Sequence, residues 1–371
     1  MSDTDTGARN ALRAGDREKA EQELATPEEF YETFHRVREE LARVVVGQDR
    51  TVEHLLVAVL ADGHVLLSGT PGLGRTLIVK TLAHILGLEY RRLQFTPDLL
   101  PTDIIGTEIL ESRLATGERS FRFFKGPVFA NMVLADEINR SPVRTQAALL
   151  EVMQERQVSI GGQTYFLPRP YNLVATLNTL DTDGTWHLGE AQTDRFMFSI
   201  EQEYPAYGEE KQMVRFTTGS YAPGADCVTG PEQILRMQAL AKRVPVVRSV
   251  RDFALAIVRA SRPGEPEAVE TADRSVRLGA SPRAAQALLR GGKVTALARG
   301  RTHVTREDII SVARPSLAHR LLLDFRAEAE GRTYGDVLDS LIARAEENAL
   351  PTMSRWTRDL LKVSEGEAGN E

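Results

Sequence analysis

Cysteine is almost absent: Cys227 is the single one in 371 residues. No intramolecular disulfide and no cysteine-based zinc site can form, which fits a reducing compartment. Long apolar runs are absent too. The longest, Leu55 to Ala61, is far short of the roughly 18 residues a membrane span needs. The opening MSDTDTGARN is polar and acidic and has neither the apolar core nor the cleavage site of a secretory leader. A cytoplasmic location and no membrane partner are therefore expected. Positive charge is not in excess: 46 basic against 52 acidic residues gives a net charge of −6. That disfavours a constitutive nucleic-acid coat, though not a local basic pore. No internal repeat or low-complexity tract is visible. What remains is ordinary globular composition, 42% hydrophobic and 26% charged, at a length that suits two or three domains.

Between residues 43 and 204, short apolar runs alternate with helical patterns. Val65-Leu66-Leu67, Met132-Val133-Leu134-Ala135 and Asn172-Leu173-Val174-Ala175-Thr176 read as buried strands. Strands alternating with helices imply an α/β fold, a parallel sheet with helices on both faces. Ligands then belong at the carboxyl ends of the strands, where Gly72, Asp136 and Asn178 fall. Ahead of this region, Pro27-Glu28-Glu29 opens a helix carrying Phe30, Phe34, Val37 and Leu41 at helical spacing. Two hairpins interrupt the pattern: residues 105–125, turning at Ala115-Thr116-Gly117, and residues 158–167, turning on Gly161-Gly162. From residue 230 onward the pattern is helical, with candidates at 231–242, 250–260, 282–298 and 306–313. An amphipathic stretch at 334–349 follows, with Val337, Leu338, Leu341 and Ile342 on one side.

Gly69-Thr70-Pro71-Gly72-Leu73-Gly74-Arg75-Thr76 fits the phosphate-loop pattern Gly-x-x-x-x-Gly-Lys-Ser/Thr except at one position. The glycines let successive backbone N–H groups turn toward phosphate oxygens, and the helix that follows adds its positive end. Thr76 can offer a hydroxyl to Mg²⁺. Arg75 stands where a lysine would reach the β- and γ-phosphates; it is cationic but planar and bulkier. About sixty residues on, Asp136-Glu137 ends an apolar strand. One carboxylate there can hold Mg²⁺ and the other can polarise an attacking water.

With these motifs in place, the chain resembles the AAA+ ATPases and, within them, the MoxR family of the helix-2-insert clade. The run from Leu134-Ala135-Asp136-Glu137-Ile138-Asn139-Arg140-Ser141-Pro142 through Thr145-Gln146-Ala147-Ala148-Leu149-Leu150-Glu151-Val152-Met153-Gln154-Glu155 is similar to that family's Walker B signature. So are Gln94-Phe95-Thr96-Pro97-Asp98-Leu99-Leu100-Pro101-Thr102-Asp103 and Gly189-Glu190-Ala191-Gln192-Thr193-Asp194-Arg195-Phe196 to two further family stretches. The resemblance implies ATP and Mg²⁺ as cofactors, a ring of subunits, expected as a hexamer, and a chaperone-like action on a protein client or adaptor of the von Willebrand factor A type. It implies Val46 and Gly47 near the adenine and Gly69, Pro71, Gly72, Leu73, Gly74, Arg75 and Thr76 around the phosphates. It also implies Thr76 and Asp136 at the metal, Glu137 as general base and Asn178 as sensor 1. Arg195 would be a finger offered to a neighbour, and Arg283 a second sensor at a helix start capped by Ser281-Pro282.

The implied organisation is a disordered arm over 1–26, a nucleotide-binding domain over 27–205 and a linker over 206–228. A helical lid over 229–330 and a helical tail over 331–371 complete it, with nucleotide between sheet domain and lid. The chain departs from the family pattern at Arg75, at Ala175-Thr176-Leu177-Asn178-Thr179 and at Asp183-Gly184-Thr185-Trp186-His187-Leu188. These departures sit around the γ-phosphate, so they bear on hydrolysis more than on binding. Two alternatives stay open: a nucleotide-binding scaffold that hydrolyses poorly, and a nucleic-acid motor or loader.

Overall fold

The computed structural model describes residues 24–112, 119–178, 185–219 and 224–349. Its centre is a five-stranded parallel sheet: β1 (Val65–Gly69), β2 (Tyr90–Gln94), β5 (Met132–Asp136), β8 (Asn172–Thr176) and β9 (Phe198–Gln202), in the order β2-β5-β8-β1-β9. The two hairpins are β3 (Gly106–Ser112) with β4 (Arg119–Lys125), and β6 (Gln157–Ile160) with β7 (Gln163–Phe166). The second turns on Gly161 and Gly162 at φ +58° and +78°, the left-handed pair a two-residue hairpin turn needs. The expected turn at Ala115-Thr116-Gly117 lies outside the described residues.

Alternation along the central strands builds two cores. Val65, Leu67, Met132, Leu134 and Val174 face one side, and Leu66, Val133, Ala135, Leu173 and Ala175 face the other. On the first side lie the helices Pro27–Val44, Asp49–Leu60 and Arg75–Ile85, and the same cluster runs on into the lid through Phe253, Leu288 and Val294. On the second lies Val143–Glu155, with Phe95, Tyr171 and Phe196. The first helix starts as its sequence dictates. Thr26 Oγ1 accepts from the Glu29 amide at 3.1 Å and the Glu29 carboxylate accepts from the Thr26 amide at 3.0 Å, a reciprocal cap.

The lid comprises Pro231–Arg243, Arg248–Ala260, Glu270–Ser275, Pro282–Ala298, Arg306–Ser311 and Ala313–Leu317. A small antiparallel pair, β10 (Val276–Leu278) with β11 (Leu322–Leu323), joins them. Three boundaries differ from expectation. The stretch 206–228 contains the helix Tyr207–Thr218, which buries no residue and so has no apolar stripe to betray it. The helix Tyr334–Ala349 is no separate tail: it packs on Arg248–Ala260 and sinks Val337, Leu338 and Leu341 into the shared core. Most of the expected arm, residues 1–23, lies outside the described residues; of its end, Ala25 is buried and Thr26 is the cap. No helix among the described residues is long and apolar enough to cross a membrane.

Candidate functional site

β1 is flanked by β8 and β9, so the loop leaving it opens at the sheet's carboxyl edge, one strand in from the β9 side. Gly69 pairs with Gln202 so tightly that a Cβ on it would sit 2.6 Å from the Gln202 carbonyl oxygen. Gly72 and Gly74 take φ of +92° and +73°, and a Cβ on either would meet nothing within 4 Å. The loop is therefore an open cradle of main chain. The helix Arg75–Ile85 begins at Gly74 with no side-chain cap, so its first N–H groups face that cradle. Thr76 is half-buried in the first turn.

Arg75 is turned back onto the loop. Its Nη2 donates to the carbonyls of Gly69 and Thr70, its Nη1 to the Leu177 carbonyl at 3.0 Å and its Nε to Gln202 Oε1 at 3.0 Å. The forked guanidinium thus braces the phosphate loop against the ends of β8 and β9, which one lysine ammonium could not do in so many directions. Partial burial pulls its pKa down, while Asp136 and Glu137 favour the charged form. Gln202 carries the same network to the segment of Val46, Gly47 and Gln48. Its Nε2 donates to Gln48 Oε1 at 3.3 Å, and Gln48 Nε2 donates to the Glu203 carbonyl at 3.0 Å. Val46 and Gly47 therefore lie beside the end of β9, where a Cβ on Gly47 would strike Pro205 at 2.7 Å.

At the end of β5, Asp136 Oδ1 accepts from Thr176 Oγ1 at 2.7 Å, and Oδ2 accepts from Arg92 at 2.6 and 3.0 Å. Glu137 sits at φ +57°, an uncommon position for a side chain of that kind. Its amide donates to Thr176 Oγ1 at 2.7 Å; its Oε2 accepts from Gln94 at 3.2 Å and from Arg140 at 3.0 Å. Asn178 is tied down through its backbone: its amide donates to Asn139 Oδ1 at 3.1 Å and its carbonyl accepts from Asn139 Nδ2 at 2.8 Å. Oxygen donors at Thr76 and Asp136 beside an open cradle of N–H groups suit Mg²⁺ with a triphosphate, and so the residues present fit both.

Arg195 and Arg283 are not brought to this cradle. They line a separate cleft of about 220 Å³, shared with Asp62, Arg156, Asp194, Arg290 and Arg320, in which no residue of the phosphate loop and neither Asp136 nor Glu137 takes part. Arg195 Nε is buried without a hydrogen-bond partner. Arg283 lies 3.6 Å from Asp194, and Ser281, the cap of its helix, donates to both Asp194 oxygens at 2.8 and 2.9 Å. Lid and sheet domain meet here, and Arg283, expected as a second sensor, faces the cleft of Arg195. Arg92, Asn139, Thr176, Asp194, Gln202 and Arg320 also belong to the two sites, and sequence motifs single out none of them for that part. Each acts by holding another residue, and no spacing rule announces that.

The same region holds two histidines largely withdrawn from solvent, His64 buried and His319 half-buried. Burial pushes both His64 and His319 down to about 3, so both are neutral when folded. Their unfolded values are near 6.5, so the unfolded chain binds the extra protons on acidification. The stability they contribute is complete above about pH 6.5 and is lost as pH falls toward 3, roughly 2 kcal/mol each by pH 5. The melting temperature should fall steadily between pH 7 and pH 5, as read by calorimetry; an unchanged value over that window would contradict the burial of these rings.

Comparison with known proteins adds the family. Residues 64–198 match the family model described as ATPase family associated with various cellular activities, and residues 269–341 match an AAA lid domain. The chain is 39% identical to Chaperone MoxR1 of Mycobacterium tuberculosis over 91% of its own length and 89% of that protein's. It is 32% identical to Protein MoxR of Paracoccus denitrificans, over 80% and 90% of the two lengths. A crystal structure from Cytophaga hutchinsonii, of a provisionally assigned ATPase, superposes with a TM-score of 0.78 at 35% identity, covering 90% of this chain and 98% of that one. A parallel-sheet nucleotide-binding domain, a helical lid and these relatives together make the chain a member of the MoxR family of AAA+ ATPases.

Proposed function

We propose that this chain hydrolyses ATP in a ring of its own copies, a hexamer, and uses the resulting lid motion to remodel a partner protein. One observation carries the reading: the cleft of Arg195 and Arg283 shares no residue with the cradle of Gly69–Thr76, Asp136 and Glu137, and we read the two as halves of one site. The anion-cradling half is Gly69–Thr76 with Asp136 and Glu137; the cationic half is the cleft of Arg195 and Arg283. A neighbour that brings the second half to the first completes a phosphoryl-transfer site.

In that site the loop amides and Thr76 bind the triphosphate, and Asp136 with Thr76 holds Mg²⁺, which when bound neutralises charge on the phosphate oxygens. Glu137 accepts the proton of the attacking water and Asn178 orients that water. Arg195 and Arg283 of the adjacent copy stabilise the charge that develops on the γ-phosphoryl group. The client side is the pair of hairpins. Ile109, Leu110, Phe121 and Phe124 are exposed on the first, and Phe123 packs against Tyr165 of the second, the rings tilted by 34° with centroids 4.3 Å apart. A von Willebrand factor A-type adaptor and a cytoplasmic setting belong to the same proposal.

Calorimetry with ATP and Mg²⁺ tests the cradle, and steady-state phosphate release tests the reaction. No uptake at millimolar nucleotide would end the proposal. Arg75→Lys separates the slow enzyme from the scaffold. The lysine gives up the bonds to Leu177 and Gln202 but can extend to the phosphates, so turnover should rise about tenfold while the chain loses about 1–3 kcal/mol of stability. A wild-type chain with no phosphate release, active only as Arg75→Lys, would favour the scaffold.

A further inference from the structure

The loop that carries Arg195 is held by one buried guanidinium from the lid. The Arg320 side chain is 3% exposed. Its Nε donates to Asp194 Oδ1 at 2.7 Å. Its Nη2 donates to the carbonyls of Asp194 at 2.9 Å and Phe196 at 2.6 Å. Its Nη1 donates to the Met197 carbonyl at 3.2 Å and to that of Ser316. Next to it, His319 Nε2 lies 3.0 Å from the Phe196 carbonyl; with the ring neutral, that nitrogen carries the proton and donates. The carbonyls on both sides of Arg195, and the carboxylate just before it, thus converge on residues 319 and 320. Arg195 itself has no bond at its buried Nε, so its backbone sets where its side chain points.

We propose that Arg320 is the positioning residue for Arg195, fixing the backbone of residues 194–197 so that Arg195 reaches the neighbouring copy's nucleotide. The inference rests on the reading of Arg195 as a residue that acts across a subunit boundary. Its consequence is directional. The lid of one subunit sets the geometry of the arginine that subunit lends to the next, so a lid movement is felt one site along the ring. Asp194 joins the two lid segments in this grip, since Ser281 and Arg283 bind the carboxylate that Arg320 also holds. Lysine cannot replace Arg320. It keeps the charge against Asp194 but has three donors on one nitrogen in place of five on a planar fork.

The test uses the full chain. Arg320→Lys should lower turnover about 30- to 100-fold while ATP affinity, read by calorimetry, stays within about threefold, because the cradle of the same subunit is untouched. A contact that served stability alone would predict the same loss in every mixture. Arg320→Lys subunits are therefore mixed with Glu137→Gln subunits. Where an intact Glu137 meets an intact Arg195 loop from its neighbour, hydrolysis resumes; random 1:1 mixing creates such boundaries at about one quarter of sites. Recovery toward a quarter of wild-type turnover supports the proposal. Wild-type turnover in Arg320→Lys overturns it, as does absence of recovery when Arg195→Ala with Glu137→Gln does recover. If neither mixture recovers, the cross-boundary reading of Arg195 has failed, and the proposal fails with it. Should Arg320→Lys not assemble, Asp194→Asn leaves the carbonyl clamp in place and undergoes the same mixing. Its expected loss is smaller, about three- to tenfold; recovery in the mixture again supports the proposal and its absence again overturns it.

Discussion

Glu137→Gln is expected to reduce phosphate release about 10³-fold and to leave ATP binding in place. The amide is nearly isosteric, and the surroundings that hold Glu137 do not depend on its charge alone. Its backbone amide is fixed by Thr176 Oγ1, which in turn donates to Asp136. Its Oε2 is held by Gln94 and Arg140. The carboxamide can keep this position, with its oxygen toward those donors, yet it cannot take a proton from water. Asp136, Thr76 and the open glycines are not touched, so nucleotide should stay bound and the ring should stay assembled. Phosphate release and calorimetry on the same preparation check both halves. Retention of more than about a tenth of wild-type turnover would remove Glu137 from the role of base; loss of ATP binding would show that it shapes the cradle.

How much of this is legible in the sequence depends on what kind of signal each part leaves. The three central strands are apolar on both faces, and their runs are visible at Val65, Met132 and Asn172. The edge strands β2 and β9 are not. Tyr90-Arg91-Arg92-Leu93-Gln94 buries only Leu93 in full, because an edge strand here has a wet side, and its pattern reads as loop. Gly-rich spacing marks the cradle, since only glycine tolerates φ of +92° and +73° without strain. The paired acids are marked by their place after a buried strand. Arg92 and Gln94 leave no such mark. Their importance comes from the register that sets Arg92 opposite Leu134 and Gln94 opposite Asp136, and register is a property of two strands together. Arg320 is further removed still, 125 residues from Arg195 in the chain. The helix Tyr207–Thr218 escapes for the opposite reason: no buried face, hence no periodicity to find.

Arg195→Ala should cost about 10³-fold in turnover, within the range an arginine at a γ-phosphoryl group supplies, and the loss should appear in a site the mutated subunit does not itself own. The cleft that holds Arg195 contains no element of its own phosphate loop, so ATP affinity per subunit should change little. Arg283→Ala should fall short of that effect, about 10- to 100-fold, because Arg283 already shares Asp194 with Ser281 and Arg320 and stands 3.6 Å from it. Part of its charge is committed before any phosphate arrives. Removing Arg195 has no such compensation: its buried Nε has no partner in the single chain, and a group desolvated without a bond is costly unless a ligand answers it. That cost suggests a small gain in single-chain stability for Arg195→Ala, readable as a higher melting temperature at concentrations where rings do not form. Lower turnover together with equal or higher stability of the isolated chain would mark Arg195 as a residue kept for its neighbour. A fall in stability with turnover intact would make it a structural residue of its own subunit instead.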